Sequence, residues 1–250
     1  MKNKKALVLI HGFSEDCEIS FSQFLSNVQL DEYELIKHTI SGHGKLNENF
    51  QYDLEIKRTN NLMSTVITNY QKVIIMGFSL GGVLAGYIAS KYQVNKLILV
   101  APAYKYINTN SISTYFLASA KEIVKIKKVK QGLNNMIKNN FHEEDNIISD
   151  FTNEDYNGIP SIKNFIKLIE YIKSEIVAIN VPTLIIHGEC DELIPISSSL
   201  YILSKISNNN KHLIIVPTMF HRLLNDTHAK PYHLLIETFI KKGIVELNIT

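Results

Sequence analysis

At 250 residues the chain is long enough for one domain with a sizeable core. Its 45% hydrophobic and 20% charged residues are those of a soluble globular protein, and a formal net charge of +2 carries no signal for nucleic acid, which is not expected as a partner. Two cysteines, Cys17 and Cys190, make no disulfide framework and fit reduced thiols in a cytoplasmic protein.

The first element predicted is a strand over Ala6–Ile10. The lysines before it imitate a secretory signal, but the apolar run Ala6–Ile10 is too short for a signal core and no small-residue cleavage site follows. Nothing downstream approaches the roughly 20 apolar residues of a membrane span, so no stable membrane insertion is expected. Helix is predicted over Phe21–Val28, strand over Glu34–Thr39, helix over Asp53–Tyr70, strand over Lys72–Met76, helix over Val83–Tyr92 and strand over Lys96–Val100. The strands are short, β-branched and apolar almost throughout, as suits a parallel sheet covered on both faces. Between Pro102 and Asn180 the alternation stops. Helical patterns over Ser111–Val129 and Ile162–Ile179 flank a polar stretch, and the second carries an apolar stripe of Ile162, Phe165, Ile166, Ile169, Ile172 and Ile176. The alternation resumes with strands over Pro182–His187 and His212–Val216 and helices over Ser198–Ile206 and Tyr232–Lys241. The fold class read from this order is α/β: a mostly parallel central sheet flanked by helices, residues 1–101 and 181–250, with a helical cap inserted at 102–180.

The chemistry concentrates where these strands end. Gly77-Phe78-Ser79-Leu80-Gly81 joins an apolar strand to a helix, which is the nucleophile-elbow pattern. So sharp a turn puts Ser79 in strained backbone with its hydroxyl exposed, and side chains at Gly77 or Gly81 would collide with the crossing elements. A serine hydroxyl needs a base, and the base an orienting acid, in the chain order Ser, Asp or Glu, His. Asp191 follows the strand at 182–187 and is the acid candidate; Glu189 and Glu192 are its rivals, and the plain alternative is that Asp191 caps a turn. His221 follows the last strand and is the base candidate, with His228 and His233 as rivals. An oxyanion hole needs two backbone N–H donors. Leu80 supplies one and Phe13, after Gly12 in the loop closing the first strand, the other. His11 and His43 read as loop-organising residues.

As a set, His11-Gly12-Phe13, Gly42-His43-Gly44, the elbow around Ser79, Asp191 ahead of Ile194-Pro195, and the final histidine resemble the serine α/β-hydrolases. Among these the chain is most similar to small bacterial carboxylesterases and monoacylglycerol lipases. The resemblance implies a Ser–His–Asp triad, an acyl-enzyme intermediate, a helical cap and an acyl-ester substrate, with neither metal nor organic cofactor. Thioesterases, feruloyl-type esterases and peptidases share the mechanism and stay open as alternatives, and a non-catalytic binding protein is the reading from another class. Two departures stand out: the hairpin that precedes the first strand in larger members is not expected, and Phe220 occupies a place where a small residue is usual. Phe78, Met219, Phe220 and Ile194 neighbour the catalytic positions and are the substrate-contact candidates. The cap stripe lines an acyl pocket or is simply core. The lysines at 121, 125, 127, 128 and 130 read as a solvated face.

Overall fold

A computed structural model describes residues 4–13, 15–43, 50–105 and 160–242. Six strands, β1 (Lys5–Ile10), β2 (Glu34–His38), β3 (Lys72–Phe78), β4 (Lys96–Val100), β5 (Thr183–Gly188) and β6 (Lys211–Val216), form one sheet. Its order is β2-β1-β3-β4-β5-β6, and every pairing is parallel. The strands between the edges are apolar in consecutive positions because both faces are covered. Ala6, Val8, Val73, Ile75, Leu97, Leu99 and Ile185 pack to one side, and Leu7, Leu9, Ile74, Met76, Ile98, Leu184 and Ile186 to the other.

Helices α1 (Cys17–Asn27), α2 (Tyr52–Asn69), α3 (Leu80–Lys91), α4 (Pro160–Glu175), α5 (Ile196–Lys205) and α6 (Lys230–Lys241) make the outer layers. Residues of α2, α3, α4 and α5 join the first core, and those of α1 and α6 the second. The strands match their predicted spans to within two residues at each end. All six helices begin earlier than expected, two of them by more than two residues. The Asp16 side chain accepts a hydrogen bond from the Ile19 amide and caps α1, so the helix starts at Cys17 rather than Phe21. Helix α3 starts directly after Ser79, since Gly81 and Gly82 lie inside its first turn instead of ahead of it.

Of the cap expected over 102–180, residues 106–159 lie outside the described residues, as do the helix at Ser111–Val129 and the lysines that follow position 120. Helix α4, from the same stretch, buries Phe165, Leu168, Ile169 and Ile172 in the core shared with the sheet. That is the core alternative for its apolar stripe. Among the described residues, no helix is long and apolar enough to cross a membrane.

From β1 the chain runs outward to β2 and then returns across β1 to β3. At such a reversal the loops leaving neighbouring strands diverge, opening a crevice at the carboxyl ends of the strands.

Candidate active site

Ser79 stands at that crevice, between β3 and α3, with φ 54° and ψ −115°. Side chains with a Cβ rarely adopt this conformation. The neighbours hold it: the Ser79 amide donates to the Val100 carbonyl at 2.9 Å, and its carbonyl accepts from the Gly82 and Ala103 amides at 3.0 and 3.1 Å. A Cβ on Gly77 would run into the Gly81 carbonyl, and one on Gly81 into the carbonyls of Ile10 and His11. Glycine at these two positions is therefore what lets α3 cross β3 and β1 closely enough to make the elbow.

Asp191 lies in the loop leaving β5. One carboxylate oxygen accepts the amides of Leu193 and Ile194, at 3.0 and 2.8 Å. The other is 2.8 Å from Nδ1 of His221, which comes from the loop after β6. Across the same ring, His221 Nε2 is 3.0 Å from Ser79 Oγ. All three residues are at least nine-tenths buried. With Nδ1–H donating to the carboxylate, Nε2 faces the serine hydroxyl as an acceptor, the tautomer that general-base chemistry uses.

The rivals of Asp191 have other work. Glu192 accepts the His221 amide at 3.1 Å and Glu189 the Thr218 amide at 3.3 Å, so both carboxylates hold backbone of the β6 loop instead of its ring. His233 is buried elsewhere, between Asn27 and the Leu224 carbonyl, and His228 is on the surface beside Asp226.

The loop after β1 approaches Ser79 from the other side; Gly12 is against the Phe78 ring and the Ser79 Cβ. The Leu80 amide, first in α3, is outside the intrahelical ladder. The Phe13 ring meets His43, Phe50 and Phe165 edge-on, with centroids 4.6, 5.9 and 5.3 Å away. His11 is fully buried: Nδ1–H donates to the Gly12 carbonyl at 2.7 Å and Nε2 accepts the Ile40 amide at 3.0 Å. Burial depresses its pKa to about 4, against the raising effect of the Gly12 carbonyl. His43 is also held neutral by burial, which outweighs its bond to the Ser41 carbonyl.

The substrate-contact candidates divide. Phe78 is buried with its ring 5.1 Å from that of His221, while Met219 and Ile194 are buried in the two cores. Phe220 alone of the four is open to solvent, 59% exposed, one residue before His221. Among the described residues, no cluster of three His, Cys, Asp or Glu side chains suits a metal ion.

Sequence reasoning missed His187. It is fully buried at the end of β5, with Nε2–H donating to the Ile194 carbonyl at 2.9 Å and standing 3.5 Å from Asp191, while Nδ1 accepts from Ser199. The signal was a lone polar residue in an otherwise apolar strand, since a buried ring of this kind needs partners. Also missed was the ion pair of Glu15 with Arg222, 3.0 Å, next to the two functional loops.

The family described as serine aminopeptidase, S33, matches residues 1–228. The chain belongs to this family. It is thus an α/β-hydrolase by family as well as by fold. A monoacylglycerol lipase of Mycolicibacterium smegmatis is 30% identical over 53 residues, a stretch spanning 21% of the chain and 19% of that relative's length. In fold, this S33-family chain is similar to a monoacylglycerol lipase of Paleococcus ferrophilus (TM-score 0.64, 16% identity, 95% of each chain). It is similar also to an esterase of Exiguobacterium antarcticum (TM-score 0.66, 19% identity, covering 96% of this chain and 93% of that one).

Proposed function

We propose that the protein hydrolyses carboxylic esters of short or medium acyl chains, monoacylglycerols included, through an acyl-enzyme on Ser79. The observation that carries this reading is the continuous Ser79–His221–Asp191 chain, 3.0 and 2.8 Å, with its serine held at positive φ where three strands end. Ser79 Oγ attacks the ester carbonyl as His221 Nε2 takes its proton. Asp191 keeps the ring in the required tautomer and stabilises the imidazolium. The amides of Phe13 and Leu80 take the oxyanion of the tetrahedral intermediate. As it collapses, His221 returns the proton to the departing alcohol. Water, deprotonated by the same nitrogen, then attacks the acyl-enzyme, and the free acid leaves with Ser79 restored. The inserted cap at 102–180 is the proposed source of most of the acyl wall, with Phe220 the exposed contact at the rim of the core.

One observation favours a second reading: the family carries the description of a serine aminopeptidase. Amide hydrolysis would use the same groups, plus a carboxylate for the substrate's ammonium. The exposed Glu192, whose carboxylate accepts the His221 amide, is the acidic side chain proposed for that role.

The test is to measure initial rates on p-nitrophenyl esters from acetate to palmitate, and on aminoacyl p-nitroanilides, for the wild type and Ser79→Ala. Ester turnover with a chain-length optimum, reduced about a thousandfold or more by the substitution, is the expected result. Turnover confined to the anilides would replace the ester reading with the peptidase one. Ester hydrolysis that survives Ser79→Ala would refute the assignment of the nucleophile.

A further inference from the structure

The loops that carry the Phe13 amide and the His221 ring are joined by an ion pair that the catalytic scheme leaves unused. Glu15 follows Phe13 by two residues and is 6% exposed, although it belongs to no helix or strand. One of its carboxylate oxygens accepts the Ser20 hydroxyl at 2.5 Å. That hydroxyl oxygen in turn accepts the Gly12 amide at 3.3 Å. The other carboxylate oxygen is 3.0 Å from the guanidinium of Arg222, the residue after His221. The relay therefore runs from the amide beside Phe13, through Ser20 and Glu15, to the residue beside His221. A second strut lies next to it, the Asn225 side-chain amide donating to the Ile19 carbonyl at 2.8 Å. From the opposite side Glu189 and Glu192 grip the same β6 loop by its amides.

We propose that Glu15 and Arg222 are a positioning pair that sets the separation between the oxyanion amides and His221. The proposal rests on the serine-hydrolase reading of the site. In the transition state, negative charge grows on the substrate oxygen at Phe13 and Leu80 while positive charge grows on the imidazole. Both loops must keep their places relative to Ser79 at once, and a displacement of about 1 Å costs up to about a hundredfold in rate. The Arg222 side chain is 46% exposed. The Glu15 side chain is only 7% exposed, so loss of the arginine also leaves a buried carboxylate short of its counter-charge, and the melting temperature of each variant is read beside its rates.

Glu15→Gln keeps the size of the buried side chain and an acceptor for Ser20 but removes the charge. Arg222→Met removes the charge from the half-exposed partner without opening a buried position, and Arg222→Lys keeps the charge without the fork. Each is assayed on the best p-nitrophenyl ester, and the rate at which a fluorophosphonate modifies Ser79 is followed alongside. Glu15→Gln and Arg222→Met are expected to lower kcat and the modification rate together by about tenfold to a hundredfold, with KM within about twofold of wild type. The double variant is expected to be no worse than the poorer single one, since both break a single link. Arg222→Lys is expected to regain part of the loss. The proposal is overturned by a kcat and modification rate within about twofold of wild type in Arg222→Met. It is overturned too if losses add in the double variant and follow its melting temperature. A wild type whose Ser79 resists the fluorophosphonate would overturn the serine-hydrolase reading itself, and the pair's role with it.

Discussion

Ser79 keeps a backbone conformation that alanine tolerates no better than serine does, with φ at 54°. Conformational strain of this kind costs about 1–3 kcal/mol. Glycine relieves it, at the cost of a freer unfolded chain worth about 0.4–1 kcal/mol. Ser79→Gly is thus expected to be inactive yet more stable than Ser79→Ala by about 1 kcal/mol, a difference that urea unfolding midpoints of the two resolve. If Ser79→Ala is the more stable, the turn is not strained. The carboxylates make a second contrast at this scale. Asp191 touches the His221 ring, and Glu192 only the His221 amide. Asp191→Asn presents an amide NH2 or a poorer acceptor to Nδ1, so kcat on the ester is expected to fall about 10³–10⁴-fold. Glu192→Gln keeps an acceptor for the amide and is expected to lose less than about tenfold. Equal losses in the two variants would leave Asp191 without its special place.

Elements were legible where pattern and burial agree. The strand Lys72–Phe78 is apolar through to its elbow because both its faces are covered, and the meeting of Ser79, Asp191 and His221 could be anticipated because each follows the carboxyl end of a strand of the same sheet. What escaped was set by contacts between elements. Glu15 and Arg222 are distant in sequence and each resembles a solvated surface charge until the loops after β1 and β6 are side by side. The start of α3 was misjudged because paired glycines ordinarily stop a helix, whereas Gly81 is where the backbone of β1 comes closest. Helix α4 was legible in its periodicity but not in what it covers. Ile172 is fully buried in the core that includes Val8, Ile75 and Leu99. Ile172→Ala is therefore expected to cost about 2–4 kcal/mol, the loss of a core residue, in the free energy from denaturant unfolding. A loss under about 0.5 kcal/mol, the surface range, would detach α4 from the sheet.

At the scale of the whole molecule, the packing that makes the site also makes it sensitive to acid. His11, His43 and His187 are buried and bonded in their neutral forms, and burial lowers all three pKa values. For His11 the fall is from the ordinary 6.5 to about 4. Its Nε2 must accept the Ile40 amide, so a proton there would set two donors against each other. The unfolded chain takes up this proton below pH 6.5, whereas the folded one resists it until about pH 4. Between those limits the unfolded state holds more protons, so stability rises with pH; the contribution is complete above 6.5 and is lost as pH falls towards 4. One such proton gives a slope of at most about 1.4 kcal/mol per pH unit. Glu55 extends the loss to lower pH. Burial would raise its pKa, but its bonds with His38 and the Ser41 amide prevail and hold it below 4.5. Denaturant unfolding from pH 7.5 down to 4.5 is expected to show stability nearly level above 6.5 and falling below it. His11→Gln, though less stable at neutral pH for want of its two bonds, is expected to have a shallower slope by close to one proton. Slopes that coincide would mean that His11 charges in the folded protein, and the loop that carries Phe13 would then be looser than its hydrogen bonds describe.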